Sequence, residues 1–185
     1  MKTKTRYNIK LAEKKNLEIS EANDKFPEFW ELLKKTGQRD VFGLHPKDHY
    51  EKLLKYGEGK IKLISVLDEG KVIAAGLFSF FGKKAVYLHG ASDYEKRSKM
   101  APYLLQWTVI KQAISLSYRY YDFHGVDEKK WPGVTRFKEG FGGFELKYPG
   151  AFDLIVFNQK YLFYHFLKKK YQCLKKIKNY VSGNK

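Results

Sequence analysis

The stretch from Lys60 to Gly90 restricts the fold of this chain more than any other. Lys60–Leu67 (KIKLISVL), Val72–Phe80 (VIAAGLFSF) and Ala85–Gly90 (AVYLHG) are short apolar runs, and Asp68-Glu69-Gly70 and Gly82-Lys83 separate them. Runs of that length between tight turn signals predict three antiparallel strands joined as a meander. The flanks carry a different period. Past the polar loop Ser92–Ser98, Pro102 opens a segment with Leu104, Leu105, Trp107, Val109, Ile110, Ala113 and Ile114, which predicts a helix so apolar that it packs on the sheet. Tyr118–Phe123 then reads as a strand ending at Gly125, and a helix followed by a strand of the same sheet implies a crossover connection.

Upstream, Thr5–Lys15 is helix-compatible and very basic, with only Ile9, Leu11 and Ala12 on an apolar side, which predicts a connecting helix. Asp24 is placed to cap a helix running to about Lys35, with Pro27 in its first turn, and Pro46 starts another in which Tyr50, Leu53 and Leu54 share a face. Beyond Trp131-Pro132 a short helix reaches Gly140. A strand pair is expected around Phe144–Tyr148 and Phe152–Phe157, split by Pro149-Gly150, and a final helix runs from Gln159 to about Tyr180. The expected fold is α+β, a mixed-sheet α/β domain. The expected division is a connector helix over 1–15, one domain over 16–158, and an amphipathic basic helix over 159–185 that packs on it.

The 185 residues, 43% of them hydrophobic, suffice for one core. Cys173 is the lone cysteine, so no internal disulfide forms and no zinc signature is present, which fits a reducing, cytoplasmic setting. No apolar run approaches the ~20 residues of a membrane span, and the N-terminus lacks a signal-peptide core. The net charge of +16 is dispersed rather than gathered in one run; it attracts polyanions in general and is also what plain lysine enrichment for solubility produces.

The usual catalytic signatures are absent: no HExxH, no phosphate-cradling Walker loop, no GxGxxG, and no reliable Ser-His-Asp order. The five histidines are scattered, and Asp122 with His124 reads as a polar pair at a strand end before it reads as a metal site. The densest candidate is Gly133–Gly143, GVTRFKEGFGG, where glycines flank Arg136, Phe137 and Lys138. Glycines permit close backbone approach to a ligand, and a cation held there stabilises an oxyanion or a phosphate. The plain alternative is a helix C-terminus closed by Gly140, with lysine opposing the helix dipole.

Several successive segments resemble the second domain of the Fem peptidyltransferases. They are Tyr7–Lys14, Tyr87-Leu-His-Gly-Ala-Ser92, Met100–Trp107, Tyr120–Phe123 with Gly125, Gly133–Lys138, Gly140–Gly143 and Tyr148–Asp153. The resemblance implies an acetyltransferase-like (GNAT) fold and a tRNA-dependent reaction. An amino acid on aminoacyl-tRNA passes to the stem-peptide amine of a nucleotide- or lipid-linked peptidoglycan precursor, with no cofactor. It implies Lys138 and Phe137 at the transfer site, Lys138 stabilising charge and Phe137 packing on the donor or acceptor. It further implies Arg136, His45, Lys47, His49, Tyr50, Tyr87, His89, Ser92 and Trp107 as substrate-binding residues.

Two departures stand out. Where the family commonly has Arg-Pro-x-x-Tyr-Tyr this chain has His45-Pro-Lys-Asp-His49-Tyr50, and Tyr-Gly-Ala-Ser has become His89-Gly-Ala-Ser, so the phosphate clamp is weakened unless Lys47 or a protonated His45 serves. The chain also begins in what resembles the connector between two such domains. Either a separate chain is then expected to supply the other half, or this is a truncated product. The rival readings are an acetyl-CoA-dependent N-acetyltransferase, disfavoured because Tyr94–Ala101 has no glycine for a pyrophosphate loop, and a non-catalytic basic domain that binds RNA or a partner. Lysines 168–170 on the last helix would suit a site at the inner face of the membrane.

Overall fold

The computed structural model describes the backbone of residues 1–182 and the side chains of residues 1–174. The chain divides into two compact units, Met1–Phe144 and a second beginning at Glu145. The first holds a five-stranded sheet in sequence order: β1 (Glu18–Ser20), β2 (Ile61–Asp68), β3 (Lys71–Phe81), β4 (Lys84–Ser92) and β5 (Tyr120–Asp122). The meander expected from the sequence is β2-β3-β4, antiparallel throughout, while β5 pairs with β4 in parallel. The helix between them, α4 (Ala101–Ser115), is the crossover that a parallel neighbour requires.

Alternation along the strands sends neighbours to opposite faces, and each face has its own core. On one face Ile64, Val66, Ala74, Phe78 and Phe80 pack with Ala101, Leu104, Leu105, Val109 and Ala113 of α4 and with Ala12 of α1 (Thr3–Glu13). On the other, Leu63, Ala75, Leu77 and Ala91 pack with Phe26, Phe29, Leu32 and Leu33 of α2 (Phe26–Asp40) and Tyr50 of α3 (Lys47–Tyr56). The helix α1 therefore does more than connect, since Ile9 and Ala12 are buried.

Four local features differ from expectation. Asp24 lies in a 3-10 turn (Asn23–Lys25) and supplies no cap, and α2 runs on to Asp40 because Thr36 and Gly37 are buried on it. Leu44 lies against Gly37, where a Cβ would come within 3.3 Å of it. The strand β1 was not foreseen, being only three residues long and paired through Glu18–Ser20 with Ser65–Leu67. The strand pair expected around Phe144–Tyr148 and Phe152–Phe157 does not form; residues 144–157 carry no strand, and Phe144, Tyr148, Phe152, Leu154 and Phe157 are exposed. A two-stranded hairpin without a third strand or a covering helix has too little burial to hold itself.

The second unit contains α6 (Asn158–Ser182), and the first also has α5 (Pro132–Gly140). Among the described residues no helix is long and apolar enough to cross a membrane.

Candidate functional site

The sheet opens where β4 and β5 part. Only Lys84, Ala85 and Val86 of β4 pair with β5, opposite Tyr120, Tyr121 and Asp122. Among the described residues β4 has no partner on that side from Tyr87 onward. A bulge falls at the same place: Leu77 of β3 pairs with His89 but Phe78 pairs with Tyr87, leaving Leu88 as the extra residue. A bulge bends its strand and re-aims its side chains. Here Tyr87 lies on Phe78 on the α4 face, ring centroids 5.3 Å apart, while His89 meets Tyr50 on the α3 face at 5.0 Å.

Lys138 reaches this opening from α5. The helix starts on Pro132, and the loop before it is fixed by Asp127, whose Oδ1 accepts the backbone N–H groups of Lys129 and Lys130 and whose own N–H donates to Thr135 Oγ1 at 3.1 Å. Its end is fixed by α1. Lys2 N–H donates to Gly140 O at 2.8 Å, and a Cβ on Gly140 would stand 2.3 Å from Thr5 Oγ1, so glycine is required for the close approach. Held in this way, Lys138 Nζ donates to Gly125 O at 2.6 Å and lies 5.9 Å from the centre of the Tyr87 ring. Partial burial pushes its ammonium below the ordinary lysine range, and the charge of Asp122 pulls it partly back. Among the described residues Lys138 is in no ion pair, so its charge is left for a ligand. The two sequence readings of this segment meet here: Lys138 is indeed in the last turn of a helix, and it also faces a breach in the sheet.

The other expected site residues fall into three groups. Phe137 is half-buried in an aromatic cluster, 4.9 Å from Tyr103 and 5.5 Å from Phe141, with Phe123 against Phe141 at 5.1 Å. It anchors α5 on α4 and thereby places Lys138. Trp107, half-buried, lies one turn beyond Tyr103 on the same side of α4.

The histidines scattered in the sequence converge. His45 and His49 have ring centroids 4.3 Å apart, and His89 lies 6.3 Å and 6.5 Å from them. Burial, reinforced by the charges of His45, His49 and His124, pushes the His89 imidazole down to about 4, so it is neutral at pH 7. Tyr50 stands behind the group. It is 1% exposed and its hydroxyl accepts the His45 N–H at 3.2 Å, so it positions its neighbours rather than meeting a ligand.

Three residues are not gathered in. Lys47 is paired with Glu51 at 3.3 Å on the surface of α3 and does not replace an arginine beside His45. Arg136 is exposed on α5. The backbone of Ser92 is tied to α2, its carbonyl accepting from Arg39 Nη1 at 3.3 Å and its N–H donating to Thr36 Oγ1 at 3.3 Å. Asp122 Oδ1 accepts the His124 N–H at 2.7 Å, the polar pair at a strand end that the spacing predicts, and among the described residues no cluster is arranged to hold a metal.

Sequence reasoning missed Gln106 and Tyr121. Gln106 is 1% exposed in the middle of α4, and the Tyr121 hydroxyl donates to its Oε1. A lone amide inside an otherwise apolar helical run was the available signal.

The sequence matches the FemAB family model over residues 1–67 and 60–169. The chain belongs to the FemAB family. Two curated members are similar over part of it: the lipid II:glycine glycyltransferase of Staphylococcus aureus, 32% identical over 93 residues, and the aminoacyltransferase FemA of Staphylococcus epidermidis, 29% identical over 102 residues. Those alignments take in 48% and 52% of this chain but only 22% and 24% of the relatives, so the chain matches less than a quarter of their length. Among solved structures, FemX superposes with a TM-score of 0.63 at 20% identity, covering 68% of this chain and 48% of FemX. An aminoglycoside acetyltransferase superposes at 0.57 with 13% identity, covering 75% of this chain and 96% of that one. This FemAB chain thus has the acetyltransferase-like fold.

Proposed function

We propose that this FemAB chain is an aminoacyltransferase, or the acyl-transfer half of one, moving an amino acid from aminoacyl-tRNA to the stem-peptide amine of a peptidoglycan precursor. The observation that carries the reading is the partly desolvated, unpaired Lys138 at the opening between β4 and β5. Family membership and the transferase names of the relatives support it.

The reaction asks for little machinery. The acceptor amine attacks the ester carbonyl carbon, forming the C–N bond. The carbonyl oxygen becomes an oxyanion beside the Lys138 ammonium. The oxyanion then reforms the carbonyl, the C–O bond to the tRNA ribose breaks, and the proton shed by the amine ends on the departing ribose oxygen. An ester is already activated, so alignment and one cation do most of the work and no enzyme-bound acyl intermediate is required. The partial burial that lowers the affinity of Lys138 for its proton also strengthens its field at the oxyanion. Gly125 O holds the ammonium in place in the resting state and yields it when the oxyanion forms.

The histidine cluster at the other side of the opening is assigned to the acceptor. The neutral His89 imidazole recognises it by hydrogen bonding, beside His45 where the family's arginine would stand. The protein would meet such an acceptor in the cytoplasm or at the inner face of the membrane. Use of acetyl-CoA is disfavoured. Lys96 and Lys99, the cations before α4, are both engaged by Asp68, at 3.4 Å and 2.9 Å, and Arg97 lies on the Tyr94 ring at 4.5 Å.

The test is transfer of a radiolabelled amino acid from aminoacyl-tRNA to a lipid-linked or nucleotide-linked muropeptide. It is run with the chain alone and with the first domain of a Fem enzyme added in trans. Labelled product in either mixture supports the proposal, and no product in both refutes it.

A further inference from the structure

Asp122 stands where the sheet opens. It is the last residue of β5 and pairs with Val86, after which β4 has no partner on that side among the described residues. The chain then turns sharply. His124 takes a φ of 60°, in the left-handed region that a residue with a Cβ enters only at a cost. The Asp122 side chain offsets that cost, its Oδ1 accepting the His124 N–H at 2.7 Å and closing a turn over two residues. The next carbonyl, Gly125 O, is the one that accepts from Lys138 Nζ at 2.6 Å.

The turn lies against the helix that carries Lys138. Phe123, inside the turn, has its ring 5.1 Å from that of Phe141 at the end of α5, and Thr135 of α5 accepts the Asp127 N–H at 3.1 Å. These two contacts fix the flanks of the turn along α5, and neither involves Gly125. Gly125 has no side chain to fix it, and open space lies where a Cβ would stand. The direction of its carbonyl is therefore set by the turn before it, which the Asp122 hydrogen bond closes. The carboxylate is spent on a backbone N–H and forms no ion pair with Lys138, so it orients the ammonium through a neutral carbonyl without quenching its charge. Its field still favours the charged form of Lys138, and Glu139, the acidic neighbour on α5, is engaged by Lys2 at 3.4 Å.

We propose that Asp122 is a positioning residue of the transfer site: by closing the turn at His124 it aims the Gly125 carbonyl at Lys138 Nζ and so holds the ammonium where the oxyanion forms. This rests on the aminoacyl-transfer reading above. A polar pair that looks purely structural in the sequence is then the seat of the catalytic cation. A cation fixed before the reaction acts without reorganisation, which is what the turn contributes.

The test compares Asp122→Asn with Asp122→Glu. Asparagine keeps an acceptor oxygen at the same reach and removes the charge, whereas glutamate keeps the charge and carries its carboxylate one methylene too far to close the turn. Transfer kinetics should show kcat about tenfold lower for Asp122→Glu with KM changed by less than about threefold, and most of that loss recovered in Asp122→Asn. In a Lys138→Ala background Asp122→Glu should cost little more, because the group it positions is gone. Loss in Asp122→Asn but not in Asp122→Glu, equal rates in the two variants, or the same Asp122→Glu loss with and without Lys138 each overturns the proposal. The second readout needs no activity. In protein carrying 15N-lysine, the Lys138 ammonium signal, assigned by its loss in Lys138→Ala, should persist in Asp122→Asn and move or broaden in Asp122→Glu. If Asp122→Glu fails to fold, Asp122→Ala, which removes the acceptor altogether, takes its place in both comparisons. A wild-type chain with no transfer, alone or complemented, refutes the functional reading and with it the use of this cation. An unchanged Lys138 signal in Asp122→Glu refutes the positioning alone.

Discussion

Acid should destabilise this protein through His89 in a pH window that the structure defines. The ring is half-buried beside Tyr50 and faces His45, His49 and His124, and its native pKa falls from the ordinary 6.5 to about 4. In the unfolded chain His89 takes up a proton below about 6.5, whereas in the native state it resists doing so until about 4. Between those values the unfolded state binds more protons, so stability falls as pH falls, and it levels off below about 4 where both states are protonated. At about 1.4 kcal/mol per pH unit of displacement the ceiling is about 3 kcal/mol, and solvent screening of a partly exposed ring brings the working figure to about 2 kcal/mol. For a domain of this size that is a fall in Tm of about 4–8 °C. The assay is calorimetric or circular-dichroism melting from pH 7.5 to 4, comparing wild type with His89→Phe, which keeps an aromatic ring against Tyr50 and removes the titrating group. The difference between the two should grow through the window and vanish above it. Parallel pH profiles for the two proteins would refute the reasoning.

Gly90→Ala should drive Tyr87 from its place, since the added methyl meets Tyr87 Oη at 1.7 Å. Overpacking of this kind costs about 1–3 kcal/mol, read as a lower urea midpoint, whereas Gly133→Ala, in a helix with open space around it, should be neutral or slightly stabilising. Acetyl-CoA should produce no saturable heat of binding, because Asp68 already holds Lys96 and Lys99 and the loop before α4 has no glycine; a saturable isotherm would restore the acetyltransferase reading.

The sheet was legible where local pattern and long-range pairing agree. Leu63 to Leu67 and Val72 to Phe80 are long enough, and cleanly enough bounded by turns, to fix β2 and β3 and their antiparallel order. The stretch from Phe144 to Phe157 shows the limit of the same reasoning, since its residues have strand-like composition but no neighbouring strand to pair with, and composition alone cannot show that. β1 failed for the opposite reason: three residues carry no period, yet the free edge of β2 recruits them.

For the site, GVTRFKEGFGG marked Lys138 because glycine and cation lie side by side in sequence. That Gly140 is needed for Thr5, more than a hundred residues earlier, was not readable. The histidines were each visible, but their meeting depends on the bulge at Leu88, which carries His89 to the α3 face. Gln106 reads as an ordinary polar position in the sequence, because the Tyr121 hydroxyl that bonds its amide oxygen arrives only with β5.

The account stands most directly on the charge of Lys138. The measurement is the rate of transfer of labelled amino acid from aminoacyl-tRNA to the muropeptide amine by Lys138→Ala against wild type, with melting curves to show that both are folded. Loss of a fixed oxyanion cation predicts a fall of about 100-fold or more with the fold intact, and a folded Lys138→Ala protein that transfers at the wild-type rate would contradict it.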